Sequence, residues 1–328
     1  MRATLAELEG RVALCRPTVD GQQVHLPGEL AFAVFTHHTS RPSREVAAEA
    51  GRPPDPNLHS HAFLFNLAHC EGRWLAVDSR PLYQFATTAQ AIYECELAAQ
   101  LQRLGYQLAW RETCHRRAWE LAGVDGRVVE LFSSRHRQID QQAAKFQATR
   151  GRPPTLRERG QLAARDRAPK TDACRAPHWP AYRTVLARHG LQLPTVERTP
   201  RRGAGPVTLA EREAAVRARL LDPEGLTRAD ATFDEAHLAK AIFQAAAGLL
   251  DATEASSFLE CFLASPDLVP VATPPGPKLT TTRLLDQERR IVQAARAKAS
   301  TRMLTPRPDL IARMVELAEH SGPRLSAE

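Results

Sequence analysis

Hydrophobic positions follow two rhythms along this chain. In the N-terminal part they gather in short runs. "ELAFAVFTHH", Glu29–His38, is rich in β-branched and aromatic residues and predicts a strand. A polar loop with proline and arginine follows, Arg41–Pro54. "LHSHAFLFNLAHC" (58–70) predicts a second strand, apolar on both faces and therefore central in its sheet. Glu71-Gly72 is a turn signal, and "RWLAVD" returns as a third strand. Thr4 with Glu7 reads as a capping box for an opening helix. Between Thr87 and Leu104, Ala91, Ile92, Cys95, Leu97, Leu101 and Leu104 form a helical stripe ended by Gly105. "YQLAWRE" and "HRRAWELAGV" predict shorter strands, and a helix is expected from Val128 to Ala148. Later the period becomes helical. Thr208/Glu211 and Thr232/Glu235 read as capping boxes of two helices, the second striped by Leu238, Ala241, Ile242, Ala245 and Leu249. Phe258, Leu259, Phe262 and Leu263 stripe a third helix. "DLVPVA" and "PKLTTT" then form a hairpin, and a long helix runs from Arg283 to Ala299. Helices followed by a hairpin suggest a winged-helix-like module.

Composition adds an organisation to this pattern. A chain of 328 residues, 43% hydrophobic and 25% charged, is an ordinary globular protein of two or three domains. No apolar run reaches the roughly 18 residues of a membrane span, and "MRATLAELEG" reads as a helix rather than a signal peptide. Six cysteines without a CxxC pair suit a reducing cytosol. Net charge is +7, but residues 150–202 alone hold 13 Lys/Arg against four Asp/Glu. That proline-rich stretch is expected to bury little and to act as a basic connector, either touching phosphates or simply solvated. The expected class is α+β. A partial antiparallel sheet with flanking helices spans 1–148, a basic linker 149–207, and a mainly helical module 208–328.

The candidate chemistry lies in the strands. Residues i and i+2 of a strand share a face, about 6.5–7 Å apart, so His59 and His61 can converge on one ion. His37 completes a three-nitrogen site if the two strands are neighbours. Such an ion keeps open positions for a phosphate oxygen. Ser40 and Arg41, in the intervening loop, could place a charged fork beside that phosphate. The plainer reading is a chance pair in a chain with 12 histidines. His37-x-Thr39 is half of a two-histidine phosphoesterase signature without its second half. "GAGPVT" at Gly203 lacks the lysine of a P-loop, and no Gly-x-Ser-x-Gly elbow exists.

Read whole, "FTHHTSR…DPNLHSHAFLFNLAHCEGRWLAVDSRPLY" resembles the C-terminal half of the MobF-class conjugative relaxases, the TrwC/TraI type of HUH endonuclease. The matching residues are His37, Thr39-Ser40-Arg41, Asp55-Pro56, His59 and His61, Asn66, and Gly72-x-Trp74. The likeness continues through "AIYECELAAQLQRLGY" and "WELAGVDGRVVELFSSRHRQID", and more loosely through "FLASPDLVPVA" and "LTTTRLLDQERRIV". It is strongest from Glu29 to Asp140. It implies that His37, His59 and His61 hold a divalent metal, magnesium or manganese. It also implies nicking of one strand at a plasmid transfer origin by a tyrosine, which becomes linked to the 5′ phosphate. The implied partners are single-stranded DNA at that origin and other relaxosome or secretion-system proteins. The implied location is the bacterial cytoplasm.

In such relaxases the tyrosines and the acidic base precede the first metal histidine. Here 36 residues precede His37, none of them tyrosine; the four tyrosines are Tyr83, Tyr93, Tyr106 and Tyr182. Tyr93 is a conceivable substitute, as is Tyr83, with packing the plainer role for both. "GPRLSAE" (322–328) resembles the lead-in to a helicase domain whose P-loop would follow. The expectation is an internal piece of a relaxase–helicase that binds metal and single-stranded DNA without being catalytically complete. The alternatives are a nickase using Tyr93 or completed by a separately encoded N-terminal half, and a DNA- or partner-binding module with a vestigial metal site. Two departures bear on the site. The charged stretch 41–55 is longer than usual and either displaces the loop beside the metal or bulges from the surface. His38 stands where the family usually has an acid. Trp74, Trp110 and Trp119 are candidates for base stacking or for core packing.

Overall fold

The computed structural model describes residues 1–112, 117–165, 178–196, 207–274 and 276–299, with single positions at 309, 313 and 316. The stretch 322–328 lies outside the described residues. Helix α1 (Arg2–Val12) leads into strands β1 (Leu14–Cys15), β2 (Thr18–Val19), β3 (Gln22–Gln23) and β4 (Leu26–Pro27). These pair as two small antiparallel ladders, β1 with β4 and β2 with β3. Because α1 begins at Arg2, Thr4 lies inside the helix and is buried, so it does not form the expected capping box; Glu7 pairs with Arg11 instead.

Strand β5 (Glu29–Thr39), helix α2 (Arg44–Ala48), strand β6 (Pro56–Cys70) and strand β7 (Arg73–Leu75) follow. They form a three-stranded antiparallel sheet with β6 central, as its apolar run predicts. Burial does not match that prediction. Leu58, Phe63, Phe65 and Leu67 are all exposed, because neither hydrophobic core extends over the faces of this part of β6. Helix α3 (Ser79–Arg103) starts before Thr87 because the Asp78 side chain accepts from Arg80 N at 3.2 Å and caps it there.

Strands β8 (Leu108–Glu112) and β9 (Arg117–Leu121) are the two shorter strands expected there, and they pair antiparallel. The helix expected from Val128 is two, α4 (Gly126–Leu131) and α5 (Ser134–Arg150), broken at Phe132 and Ser133. Helices α6 (Leu156–Arg165) and α7 (Trp179–Arg188) form within the basic connector. Its composition predicted little burial, yet Tyr182, Val185 and Leu186 are buried. Helix α7 docks where Tyr182 donates to the Pro54 carbonyl at 2.9 Å and its ring meets Phe132 edge-on.

The remaining elements are α8 (Leu209–Leu221), α9 (Glu235–Ala246), α10 (Ala252–Leu263), the hairpin β10 (Leu268–Thr273) and β11 (Gly276–Thr281), and α11 (Thr282–Ala299). Thr208 and Glu211 make the predicted capping box. Asp234 caps α9 in place of Thr232, accepting from His237 N at 2.7 Å, since the helix begins two residues later than the Thr232 box requires. Asp251 with Glu254 caps α10, a box that sequence reading missed. No helix among the described residues is long and apolar enough to cross a membrane.

The largest core crosses the sequence. Ile92, Cys95 and Ala98 of α3 are fully buried with Val216 of α8, Leu238, Ile242 and Phe243 of α9, and Leu259 of α10. Trp110 and Trp119, paired across β8 and β9, pack on the same core. Gly248, at φ 78°, leaves room for Trp110, whose ring would stand 2.6 Å from a Cβ there. Packing is therefore the role of these two tryptophans, while Trp74 is exposed beside His69.

An ion pair staples α8 to α10. Both Arg212 guanidinium nitrogens reach the Glu254 carboxylate at 2.7 Å, and Arg212 also donates to the Leu249 carbonyl. The Arg212 hydrogen bonds hold the Glu254 carboxyl below the usual carboxylate range, against partial burial that pushes it up. A lowered folded-state value adds stability above the unfolded carboxyl's pKa of about 4.3, and that stability disappears as pH falls through the folded value. We expect the wild type to lose stability more steeply below pH ~4.3 than Glu254→Gln does. Urea unfolding midpoints across that range provide the check, and parallel curves would contradict it.

Candidate metal centre

The paired strands β5 and β6 build the site. Their register sets His37 opposite His59 and Phe35 opposite His61, so directly facing residues share one face. His59 and His61 join that face through the two-residue strand period. Thr36 and Ser60 meet on the reverse face, 3.4 Å apart. The three rings form a closed triangle, with centroids 5.4 Å apart for His37–His59, 4.8 Å for His37–His61 and 4.9 Å for His59–His61.

One donor nitrogen from each ring lies within 4.8 Å of the others. An ion held at about 2.0–2.1 Å would need these atoms somewhat closer, which modest side-chain rotations supply. His59 is already oriented for this. Its Nδ1 lies 2.9 Å from the Asn57 carbonyl, a bond that requires the proton on Nδ1 and leaves Nε2 as the donor. His37 and His59 are half-buried and His61 is exposed, so the centre opens to solvent on one side. The donor set therefore fits one ion with free positions.

The segment between the strands is folded rather than a loose bulge. Ser43 caps α2 and accepts from Val46 N at 3.2 Å, and Val46 is buried. Arg52 reaches Glu49 at 3.1 Å and the Leu131 carbonyl at 3.3 Å. Asp55, also buried, accepts from the Ser134 backbone N at 2.9 Å and from its hydroxyl, which anchors the start of β6 on α5. Ser40 N donates to the Asp55 carbonyl at 2.8 Å, closing the loop behind the triad. Ser40 Oγ turns back to the Arg41 carbonyl at 3.4 Å, and Arg41 is half-buried. His38 sits at an irregularity in the ladder between His37 and Thr39. Sequence reading missed the roles of Asn57 and of Asp55 with Ser134. An Asp-Pro turn just before a histidine pair was the available signal.

Tyr182 is buried and bonded to Pro54. Tyr83 is 81% exposed on the first turns of α3, and Tyr93 is half-buried further along it. The beginning of α3 is fixed near the hairpin end of β6, where Asp78 N donates to Leu14 O and Cys15 bridges Val77. From His61 to Cys70 the strand runs about 30 Å before that end is reached.

Three imidazoles gathered on adjoining antiparallel strands define a candidate metal centre. The chain belongs to the TrwC relaxase family, whose model matches residues 1–188. It is 32% identical over 139 residues to the multifunctional conjugation protein TraI of Escherichia coli, covering 39% of this chain. It is 30% identical over 139 residues to TraI of Escherichia coli strain K12. The match spans 7% of the length of each of these relatives. Among solved structures, it is similar to the conjugative relaxase TrwC in complex with oriT DNA in a metal-free form. That likeness has a TM-score of 0.46 and 29% identity over 58% of this chain and 64% of the other. A copper-bound TrwC–oriT complex gives the same score and identity, over 58% and 61% of the two chains.

Proposed function

We propose that this chain is the metal-binding part of a conjugative relaxase, holding one divalent ion through His37, His59 and His61 and binding single-stranded transfer-origin DNA against that face. The observation that carries the reading is the convergence of three imidazole donors within 4.8 Å. An all-nitrogen set favours a first-row transition ion over magnesium, which demands oxygen ligands, and manganese serves as the paramagnetic probe of the site. When bound, such an ion neutralises charge developing on a phosphoryl oxygen. Asn57 orients His59, Asp55 and Ser40 hold the two strand ends together, and Arg41 stands beside them as a phosphate contact. Family membership and the net charge of +7 support nucleic acid as the ligand.

The chain by itself is catalytically incomplete in this reading. Tyr182 is occupied with Pro54, while Tyr83 belongs to the far end of the ribbon. A second reading, in which a separately encoded polypeptide supplies the tyrosine, is favoured by the open ladder. Among the described residues β5 has no strand on its outer edge, and β6 is paired beyond β5 only over its last three residues. The experiment is manganese binding by electron paramagnetic resonance together with incubation on a labelled origin oligonucleotide. One bound ion, salt-sensitive DNA binding and no covalent adduct are expected. A tyrosine-linked product would overturn the incompleteness, and failure to bind any divalent ion would overturn the metal centre.

A further inference from the structure

The face that carries the triad also carries an unusual set of aromatic rings. Of the chain's 11 phenylalanines, only Phe35 (56%), Phe63 (58%) and Phe65 (43%) are exposed. Phe35 faces His61 across the ladder, and Phe63 and Phe65 continue the alternation that begins with His59 and His61. All three therefore stand on the triad's side of the ribbon. Phe63 and Phe65 meet edge-to-face, with centroids 5.3 Å apart and planes at 80°. One ring of that pair thus braces the other.

Exposing three phenyl rings in a row costs hydration free energy, whereas an aromatic face open to solvent can stack a flat, apolar partner. We propose that Phe35, Phe63 and Phe65 form a stacking platform for unpaired nucleobases, running outward from the metal centre. This rests on the proposed function, because the nucleotide whose phosphate meets the ion fixes where its neighbours fall. The Phe63 and Phe65 rings, 5.3 Å apart with planes at 80°, cannot each stack a base while the two bases stay stacked on each other at about 3.4 Å. The bases are therefore splayed, one per ring, as single-stranded recognition by aromatic side chains requires. The stretches Ala31–Phe35 and Ala62–Leu67 contain no lysine or arginine. Affinity from this platform is then stacking rather than phosphate attraction. It favours single strands over duplex without choosing among bases, since every base offers a π-face.

The test exchanges ring for aliphatic bulk in the full chain. Phe63→Leu and Phe65→Leu keep apolar area and remove the ring. Each is expected to weaken binding of a single-stranded oligonucleotide about five-fold or more, measured by fluorescence anisotropy. The slope of log affinity against log salt should stay at its wild-type value, because no phosphate contact is lost. Phe63→Trp is expected to bind at least as well as wild type, with its added indole fluorescence quenched by the oligonucleotide. Manganese stoichiometry should be unchanged in all three variants. Leucine variants that bind like wild type while wild type itself binds DNA would overturn this platform and leave the proposed function intact. A wild type that binds no oligonucleotide would overturn both. A concentration-dependent dimer by sedimentation, dissociated by Phe63→Leu, would overturn it in favour of a second copy covering the face.

Discussion

Replacing His59 with alanine is expected to abolish manganese binding at the proposed centre, and replacing His61 is expected to do the same. Removing groups that merely orient a metal ligand already costs about 10–100-fold in affinity, so loss of one of three ligands costs about 100-fold or more. The substitutions leave the fold in place, because His59 is half-buried, His61 is exposed, and neither belongs to a hydrophobic core. His59→Asn is the sharper comparison, since it keeps a polar side chain at the position without the imidazole that Asn57 orients. Titration of each variant by electron paramagnetic resonance, with thermal unfolding alongside, checks both statements. Variants that still bind one ion with wild-type affinity would show that the triangle of rings is not a ligand set.

Phe243→Ala is expected to have the largest effect on stability. Its side chain is fully buried in α9, where helices from both ends of the chain share one core. Truncating a buried phenylalanine removes transfer free energy and leaves a cavity, at a cost of about 3–5 kcal/mol. That is a large share of the roughly 5–15 kcal/mol that holds a domain folded. Since α3 and α9 pack directly, the loss should lower the unfolding midpoint of both parts together. The fluorescence of Trp110 and Trp119, which pack on this core, and far-ultraviolet circular dichroism should report one coincident transition in urea. Two separated transitions, with only the later one shifted, would show that α3 and the α8–α10 helices do not depend on one another.

Much of the local structure was legible in the sequence. The runs at Glu29 and Leu58, the Glu71-Gly72 turn, the Thr208/Glu211 cap and the late hairpin all follow from period and turn chemistry, and all are present. The errors cluster at helix starts. Thr4 and Thr232 look like caps, but α1 already begins at Arg2 without a side-chain cap and Asp234 caps α9, choices that one sequence window does not rank. Burial in the basic connector was missed for another reason. Tyr182, Val185 and Leu186 are few among many charges, and only their docking against Pro54 and Phe132 makes them a core.

Within the site the division is equally plain. Strand period alone put His59 and His61 on one face, and the residue types alone specified nitrogen donors. The pairing of β5 with β6 brought His37 to them, and the folding of residues 41–55 onto α5 and α7 held that pairing closed. Register between two strands is a property of backbone hydrogen bonds between distant segments, so no pattern within either strand could supply it. The same holds for the exposed phenylalanines. Sequence marks them as apolar strand residues, and only the tertiary packing, in which neither hydrophobic core reaches over this part of the ribbon, decides that they face solvent beside the triad.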